Sequence, residues 1–197
     1  VFYPAPILCT TNSILYCRGL SYLTKIDTLF EGLMLLKLNT SLMPILTILA
    51  PRATHAEFLQ TALQHGINPQ SLCITDHLDS TELAKMMRNT SIFVSPMISD
   101  GVPNSMLEAM ACGMIPVMSD LASIREVITD GKNGFLFDPV SPQSLATALE
   151  RAFASINGSF RVSNVENISY KFEYNSCLGR VKEIYLDIAS RNCTLKK

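Results

Sequence analysis

The chain has 197 residues, of which 48% are hydrophobic and 17% charged, a composition typical of a globular domain with a large core. Sixteen Lys and Arg against seventeen Asp and Glu give a net charge of −1, and the lack of a basic excess argues against a nucleic-acid partner. The six cysteines form no CxxC pair and no zinc spacing, which favours free buried thiols over a disulfide framework or a metal site.

No targeting or membrane segment is predicted near the start of the chain. The first 17 residues carry no charge and no cleavage-type site, both of which a signal peptide needs. The longest apolar run, residues 33–50, is interrupted by polar residues and by Pro44, so we expect a helix, a turn and a strand there and no membrane span. Because the chain begins with Val1, we expect a fragment or an excised domain.

Apolar strands and amphipathic helices alternate along the chain. Strands are predicted at residues 14–17, 45–50, 72–75, 92–95, 115–119 and 134–137. Helices are predicted at residues 25–38, 56–65, 79–88, 106–111 and 124–128, and from Pro142 onward. Asp79 and Glu82 have the spacing that caps the third of these helices.

The C-terminal part of the chain is less regular. At residues 157–175 the pattern lapses into Asn, Ser and Gly. A last amphipathic helix is predicted from its apolar residues, which are Leu178, Val181, Ile184, Tyr185 and Ile188. We therefore expect an entry segment at residues 1–13, one domain at 14–156, and a C-terminal segment with a closing helix at 157–197.

The predicted strands are short, apolar on both faces and rich in β-branched residues. This pattern is typical of a parallel sheet covered by helices on both sides, so we predict an α/β, Rossmann-like fold. In such a sheet the ligand lies at the carboxyl ends of the strands. Arg18, His77 and Asp100 each follow a predicted strand and Ser119 stands at the end of one, so we expect the four to converge on one crevice.

Residues 98–126 carry the densest set of candidate functional groups. Asp100 precedes Glu108 by eight residues, with a loop and the first helical turn between them. Ser105 is predicted as the helix N-cap, in a capping box with Glu108, and Gly113 is predicted to end the helix. The unpaired N–H groups at such a helix start attract anions such as phosphate.

Two blocks of this region resemble a known family. DGVPNSMLEAMACGMIPV, at residues 100–117, resembles the signature of retaining glycosyltransferases of family 4, which have the GT-B fold. EVITDGKNGFL, at residues 126–136, resembles the next block of that family, and the likeness extends over about residues 18–185. The chain departs from the family at Asp100, where Glu is usual, and at residues 50–52, Ala-Pro-Arg, where relatives often have glycines.

The resemblance implies that the chain is the C-terminal, nucleotide-sugar-binding domain of such an enzyme. That enzyme would move a hexose-type sugar from a nucleoside diphosphate to an acceptor hydroxyl with the anomeric configuration kept, and the leaving phosphate would take the acceptor proton. No metal or other cofactor is implied. The implied partners are a nucleotide sugar, an acceptor glycan or lipid, and an N-terminal acceptor domain that this chain lacks, so the chain alone is expected to bind the donor weakly and transfer nothing. A cytoplasmic location is implied, or a peripheral one at the inner membrane face.

By the same resemblance, the two acids bind the donor. Glu108 would accept hydrogen bonds from the ribose hydroxyls, although a plain capping role with Ser105 is the alternative. Asp100 would accept hydrogen bonds from the donor sugar and hold its anomeric carbon, although an Asp that only begins a turn is the alternative. Further donor contacts are expected from the residues of the loop and helix start, which are Gly101, Val102, Asn104 and Ser105.

The resemblance also assigns groups to the phosphates and the base. Arg18 and Lys25 would neutralise the diphosphate, although Lys25 is equally consistent with a solvated lysine at a helix start. Arg52 follows the second strand and would compensate for the missing glycines or be solvated. His77 and Leu78 follow the third strand, where relatives place main-chain contacts to the nucleobase.

Two rival functions are compatible with these residues. A non-catalytic binding or scaffold domain would keep the fold and lose activity, as the substitution at Asp100 and the missing glycines suggest. A sugar-nucleotide epimerase of the same two-domain plan would release free nucleotide and an altered sugar without an acceptor.

Overall fold

The computed structural model describes residues 1–4, 11–158, 160–171 and 177–186 of the chain. Its strands are β1 Ser13–Tyr16, β2 Ile45–Leu49, β3 Leu72–Thr75, β4 Ile92–Ser95, β5 Ile115–Ser119 and β6 Phe135–Phe137. Its helices are α1 Ile26–Thr40, α2 His55–Gln64, α3 Ser80–Arg88, α4 Asn104–Ala111, α5 Ala122–Arg125, α6 Pro142–Ala154 and α7 Phe160–Lys171. Residues 177–186 form a further helix.

The six strands form one parallel sheet in the order β3-β2-β1-β4-β5-β6, which confirms the predicted α/β, Rossmann-like fold. Strand β1 pairs with β2 on one side and with β4 on the other, so that Ile14 lies opposite both Leu46 and Ile92. The winding of the chain reverses between β1 and β4, and a crevice opens at the carboxyl ends of the strands at such a switch point. Arg18 follows β1 and Asp100 follows β4, so both lie at this point of the sheet.

Successive strand residues point to opposite sides of the sheet, and here both sides are apolar. Helices therefore pack on both faces. Ile14 and Tyr16 of β1 are buried against α1, α2 and α6, whereas Leu15 is buried in a second cluster with α3 and α4. Fully burying one such apolar side chain stabilises the fold by roughly 1.5–3 kcal/mol. The two clusters hold the central strands in place, so the loops at their carboxyl ends rest on a rigid frame.

The prediction that Ser105 caps α4 is wrong. The helix begins at Asn104, its N-cap residue is Pro103, and no side chain caps it. The carbonyl of Pro103 accepts hydrogen bonds from the N–H groups of Met106 at 3.1 Å and Leu107 at 3.4 Å, so the first turn closes around Pro103. Ser105 therefore lies inside the helix. Glu108 does not form a capping box with Ser105, which was the alternative to its role in donor binding.

Other predicted helix ends are confirmed. At the start of α3, Asp79 accepts from the N–H of Glu82, and Glu82 in turn accepts from the N–H of Asp79, as the capping box predicts. Gly113 follows α4 with a φ of 86°, a left-handed conformation that glycine adopts without a steric cost.

Helix α7 lies within residues 157–175, where the sequence shows no regular pattern and no helix was predicted. Helix α7 packs on α4. Its Arg161 is 1% exposed and donates to the carbonyls of Gly113 at 2.7 Å and Ile156 at 2.9 Å. An amphipathic helix is recognised in a sequence by the apolar residues on its buried face. Here a buried arginine that donates to main-chain carbonyls lies on that face, so the hydrophobic periodicity of this helix is weak.

The last predicted helix is present at residues 177–186, but its apolar residues do not enter the described core. Leu178, Val181, Ile184 and Tyr185 are between 47% and 70% exposed, and Ile188 lies outside the described residues. The predicted domain boundaries stay predictions, although β1 begins at Ser13, one residue inside the expected entry segment.

The cysteine prediction is correct only in part. Among the described residues no disulfide joins the cysteines, which are Cys17, Cys73, Cys112 and Cys177. Cys112 is buried as expected, but Cys73 is exposed. Cys9 and Cys193 lie outside the described residues.

Candidate functional site

The loops that follow β1 and β4 are joined by main-chain hydrogen bonds. The N–H of Lys25 donates to the carbonyl of Pro96 at 2.8 Å, and the N–H of Ile98 donates to the carbonyl of Leu23 at 2.9 Å. Between these two bonds, Thr24 and Met97 form an antiparallel bridge. The carboxyl ends of the two central strands therefore present one joined surface at the switch point.

An ion pair between Arg18 and Asp100 crosses this surface. The Arg18 guanidinium lies 2.6 Å from Oδ2 of Asp100, and the two side chains are only 28% and 20% exposed. The main-chain carbonyl of Asp100 accepts a hydrogen bond of 2.6 Å from the hydroxyl of Ser123, which lies in α5. The Nε of Arg18 is buried and has no hydrogen-bond partner within the described part of the chain.

Glu108 lies half-buried on α4, and no hydrogen bond or ion pair of its side chain is found among the described residues. Burial raises the pKa of the Glu108 carboxyl above its usual value, because the charged form loses water. Burial also raises the pKa of the Cys17 thiol to about 12, with nearby Arg18 lowering it and nearby Glu108 raising it. The end of β1 thus lies within electrostatic reach of both the cation of Arg18 and the acid of α4.

The start of α4 offers main-chain donors beside the two acids. Within the described chain, the N–H groups of this loop and helix start have no acceptor; they belong to Gly101, Val102, Asn104 and Ser105. Pro103 has no N–H to offer. Because the N–H groups of a helix start carry partial positive charge, this surface favours anions such as phosphate.

The structure therefore brings together Arg18, Asp100 and the predicted donors of the loop and α4, with Glu108 on the same helix. Lys25 joins the surface through its main chain, and its half-buried side chain forms no ion pair with a described residue. His77 and Leu78 follow β3, which the sheet order separates from β1 by β2. His77 is exposed, and its N–H already donates to Oδ1 of Asp76 at 2.9 Å, so its role in base recognition stays a prediction.

Ser119, a predicted member of the crevice, lies elsewhere, and its neighbour Asp120 has a partner of its own. Ser119 is 1% exposed and donates to the carbonyl of Ser95 at 3.2 Å, so it belongs to the interior and does not line the crevice. Asp120 pairs with Arg125, and the hydrogen bonds from that guanidinium hold the pKa of the Asp120 carboxyl below its usual value. Arg52 is exposed at the start of a short 3-10 helix.

Sequence reasoning missed Ser123. It lies 23 residues after Asp100, and the contact between them depends on how the loop after β4 meets α5. No rule of sequence spacing relates a serine hydroxyl to a main-chain carbonyl 23 residues away. The only sequence signal for Ser123 is its place just after a predicted strand.

A separate groove of about 550 Å³ lies away from this surface, between α1, His65 and residues 140–143. It is lined mainly by apolar side chains and contains none of the predicted functional residues. Its size alone does not make it the functional site, because the Arg18–Asp100 pair and the main-chain donors without a described acceptor lie at the switch point instead.

The described residues contain neither a cluster of metal ligands nor a membrane-spanning helix. No three His, Cys, Asp or Glu side chains in the described ranges are grouped as metal ligands would be. None of the helices in those ranges combines the length and apolar character that crossing a membrane requires.

The chain matches a family of known proteins. The sequence pattern of the family described as glycosyl transferases group 1 matches residues 12–155, most of the chain. Among curated proteins, the uncharacterized glycosyltransferase MJ1178 of Methanocaldococcus jannaschii is 30% identical over 112 residues, which cover 55% of this chain and 31% of that protein. The chain thus spans about a third of the length of this relative.

Two solved structures share the fold at low sequence identity. A TarM mutant of S. aureus, crystallised with fondaparinux, alpha-GlcNAc-glycerol and UDP, matches with a TM-score of 0.80 and 18% identity over 92% of this chain and 37% of that one. The C-terminal domain of the group 1 glycosyl transferase LpcC from Francisella tularensis matches with a TM-score of 0.71 and 19% identity over 88% of this chain and 97% of that one. The parallel sheet with its switch point is thus the fold of GT-B glycosyltransferases, and the chain belongs to the glycosyl transferases group 1 family.

Proposed function

We propose that the chain is the donor-binding half of a retaining glycosyltransferase of family 4, and that a nucleoside diphosphate sugar binds in the crevice between β1 and β4. The observation that carries the proposal is the Arg18–Asp100 pair at the switch point, next to main-chain donors that have no acceptor among the described residues. A cation and a set of N–H groups can bind a diphosphate, and Glu108 of α4, which has no described partner, can bind hydroxyls. These are the groups that one nucleotide sugar needs.

The diphosphate is assigned to the cationic side of the crevice. Arg18 offers several N–H donors in a fixed plane, which suits the oxygens of a phosphate, and Lys25 adds a second positive charge. The N–H groups of Val102 and Asn104 extend this donor set at the start of α4. As the bond to the sugar breaks, negative charge builds up on the leaving nucleoside diphosphate, and these groups stabilise it.

The hydroxyl groups of the donor are assigned to the acids. Glu108 has no described partner, so both its oxygens are available to accept from the two ribose hydroxyls. Asp100 accepts from the donor sugar with the oxygen that does not face Arg18. The protein then acts by positioning and by charge stabilisation, and the leaving phosphate takes the acceptor proton on the face from which it departs.

The acceptor is assigned to a part of the protein beyond this chain. This chain covers 31% of MJ1178 and 37% of the TarM structure, which leaves room in a protein of that size for an N-terminal domain that binds a glycan or lipid. No metal is needed in this mechanism, because Arg18 and Lys25 supply the positive charge. The enzyme is assigned to the cytoplasm or to the inner membrane face.

Nucleotide binding tests the proposal directly. Isothermal titration of the chain with UDP, GDP and ADP should show weak binding of at least one, abolished by Arg18→Met. Arg52→Met is the matched control, because Arg52 is an exposed arginine after a neighbouring strand. Silence with all three nucleotides, or loss of binding in the Arg52 variant alone, would contradict the assignment of the site.

A second candidate function is a binding domain without catalysis. It is favoured by one observation, that Asp100 uses one carboxylate oxygen for Arg18 at 2.6 Å instead of leaving both to a sugar. Replacing Asp100 by Ala in the full-length protein separates the two functions. Sugar transfer should fall steeply if Asp100 holds the donor sugar, and unchanged transfer would show that it has no part in the reaction.

A further inference from the structure

We propose that Ser123 is a positioning residue for the donor site, which acts by fixing Asp100 and through it the guanidinium of Arg18. This inference rests on the proposed function for its consequence, but its structural part stands on the contacts alone. Ser123 lies in α5, outside both sequence blocks that predicted the site, and it touches neither Arg18 nor α4 by any described hydrogen bond.

The main chain of the loop that carries Asp100 has few hydrogen bonds of its own, although its Val102 packs against the apolar cluster on the α4 face of the sheet. Among the described residues, no main-chain N–H or carbonyl of residues 99–102 takes part in a main-chain hydrogen bond. A Cβ placed on Gly101 would meet no atom within 4 Å, so the loop is not packed there either. The bond from the Ser123 hydroxyl to the Asp100 carbonyl, at 2.6 Å, is the one described hydrogen bond that holds the main chain of this segment.

The element that carries Ser123 is itself firmly placed. Ile124, the next residue, is 1% exposed in the apolar cluster on the α4 face of the sheet. Its carbonyl accepts from the N–H of Ile128 at 2.8 Å, and the carbonyl of Leu121 accepts from the N–H of Arg125 at 3.0 Å. The Ser123 hydroxyl therefore links the main chain at Asp100, which has no other described hydrogen bond, to a well-packed part of the core.

Three strand ends are joined by this arrangement. Arg18 follows β1, Asp100 follows β4 and Ser123 lies just after β5, so one hydrogen bond and one ion pair connect three neighbouring strands. Without the hydroxyl, the main chain at Asp100 loses its one described hydrogen bond, so the Asp100 carboxylate and the Arg18 guanidinium paired with it are held less firmly. Binding a diphosphate must then order both side chains, which weakens affinity.

The experiment compares Ser123→Ala with Ser123→Thr, which keeps the hydroxyl, and with Ser155→Ala. Ser155 is the matched control because its hydroxyl also donates to a carbonyl, that of Arg151 at 2.8 Å, at the end of α6. Ser123→Ala should weaken UDP binding by about two- to tenfold, the range of one net hydrogen bond. Ser123→Thr and Ser155→Ala should bind UDP as the parent chain does.

A double-mutant cycle tests the route through Asp100. Asp100→Asn breaks the ion pair but keeps the main-chain carbonyl that Ser123 holds. If Ser123 acts through Asp100, adding Ser123→Ala to Asp100→Asn should cause no further loss of UDP affinity. An additive loss would show that Ser123 acts by another route and would overturn the proposal.

A second measurement does not depend on the proposed function. The Nε–H of Arg18 is buried, so its proton should exchange slowly with water in nuclear magnetic resonance spectra, and Ser123→Ala should speed this exchange severalfold. Unchanged exchange in Ser123→Ala overturns the inference even if UDP binds. If the parent chain binds none of UDP, GDP and ADP, the proposed function fails, and the exchange rate alone then decides the role of Ser123.

Discussion

Replacing Glu108 by Gln should make the protein more stable at neutral pH and a poorer binder of nucleotides. The carboxyl is half-buried without a described partner, and burial raises its pKa above the usual 4.5. Because the folded pKa lies above the unfolded one, the stabilising contribution of this group is fully present below about pH 4.5 and is lost as the pH rises through the folded pKa. At pH 7 the ionised group therefore costs stability, and a neutral Gln of the same shape removes that cost.

The expected loss of affinity follows from the hydrogen bonds assigned to Glu108. A hydrogen bond to a charged acceptor contributes about 1.5–3 kcal/mol. Gln keeps one carbonyl oxygen and loses the charge, so about one such bond should be lost. The dissociation constant for UDP should then rise about 10- to 150-fold. Stability and function are thus expected to change in opposite directions.

Urea unfolding at pH 7 and at pH 4, with UDP titration at pH 7, measures both effects. The gain in unfolding free energy should be present at pH 7 and should shrink at pH 4. Glu108→Gln should weaken UDP but not its 2′,3′-dideoxy analogue, which lacks the ribose hydroxyls. Glu57→Gln, at an exposed position in the first turn of α2, is the control. Lower stability at pH 7, or an equal loss with both nucleotides, would refute the reasoning.

Two further predictions concern the frame behind the site. Arg161→Met should lower the unfolding free energy by about 3 kcal/mol in urea titrations, because two carbonyls lose a buried charged donor. The same change at the exposed Arg52 should alter it by at most about 0.5 kcal/mol. Equal effects would contradict the role given to burial. Gly134→Ala should lower the unfolding free energy by about 1–3 kcal/mol, because the added Cβ would lie 2.7 Å from Cγ and 2.9 Å from the carbonyl oxygen of Pro116. Thermal unfolding measures this loss. Gly179→Ala, where no atom lies within 4 Å of the added Cβ, should show none.

The parts of the site that follow from local rules could be predicted. Strand alternation places Arg18 and Asp100 after two strands, and the parallel sheet brings the carboxyl ends of those strands to one edge. The helix after Asp100 was predicted from its strong helix formers. The first residue of this helix was predicted wrongly. Ser105 and Glu108 have the spacing of a capping box, but the first helical hydrogen bonds are accepted by the carbonyl of Pro103, so the helix begins earlier.

The parts that could not be predicted depend on contacts between distant residues. Ser123 meets Asp100 across 23 residues, and Arg161 meets Gly113 across 48. Neither contact repeats with a helix or strand period, so neither leaves a pattern in the sequence. Helix α7 was missed for the same reason, since its buried face includes an arginine and an asparagine, Arg161 and Asn164.

The sequence by itself determined the class of fold, the likeness to glycosyl transferases and the groups available for chemistry, because periodicity and short motifs are local properties of the chain. Tertiary structure alone decided which of those groups meet. It paired Asp100 with Arg18, left Glu108 without a described partner, and buried Ser119 in the interior. The physical reason is that strand order and helix packing set the distances between loops, and those distances decide whether a carboxylate is neutralised, desolvated or available to a ligand.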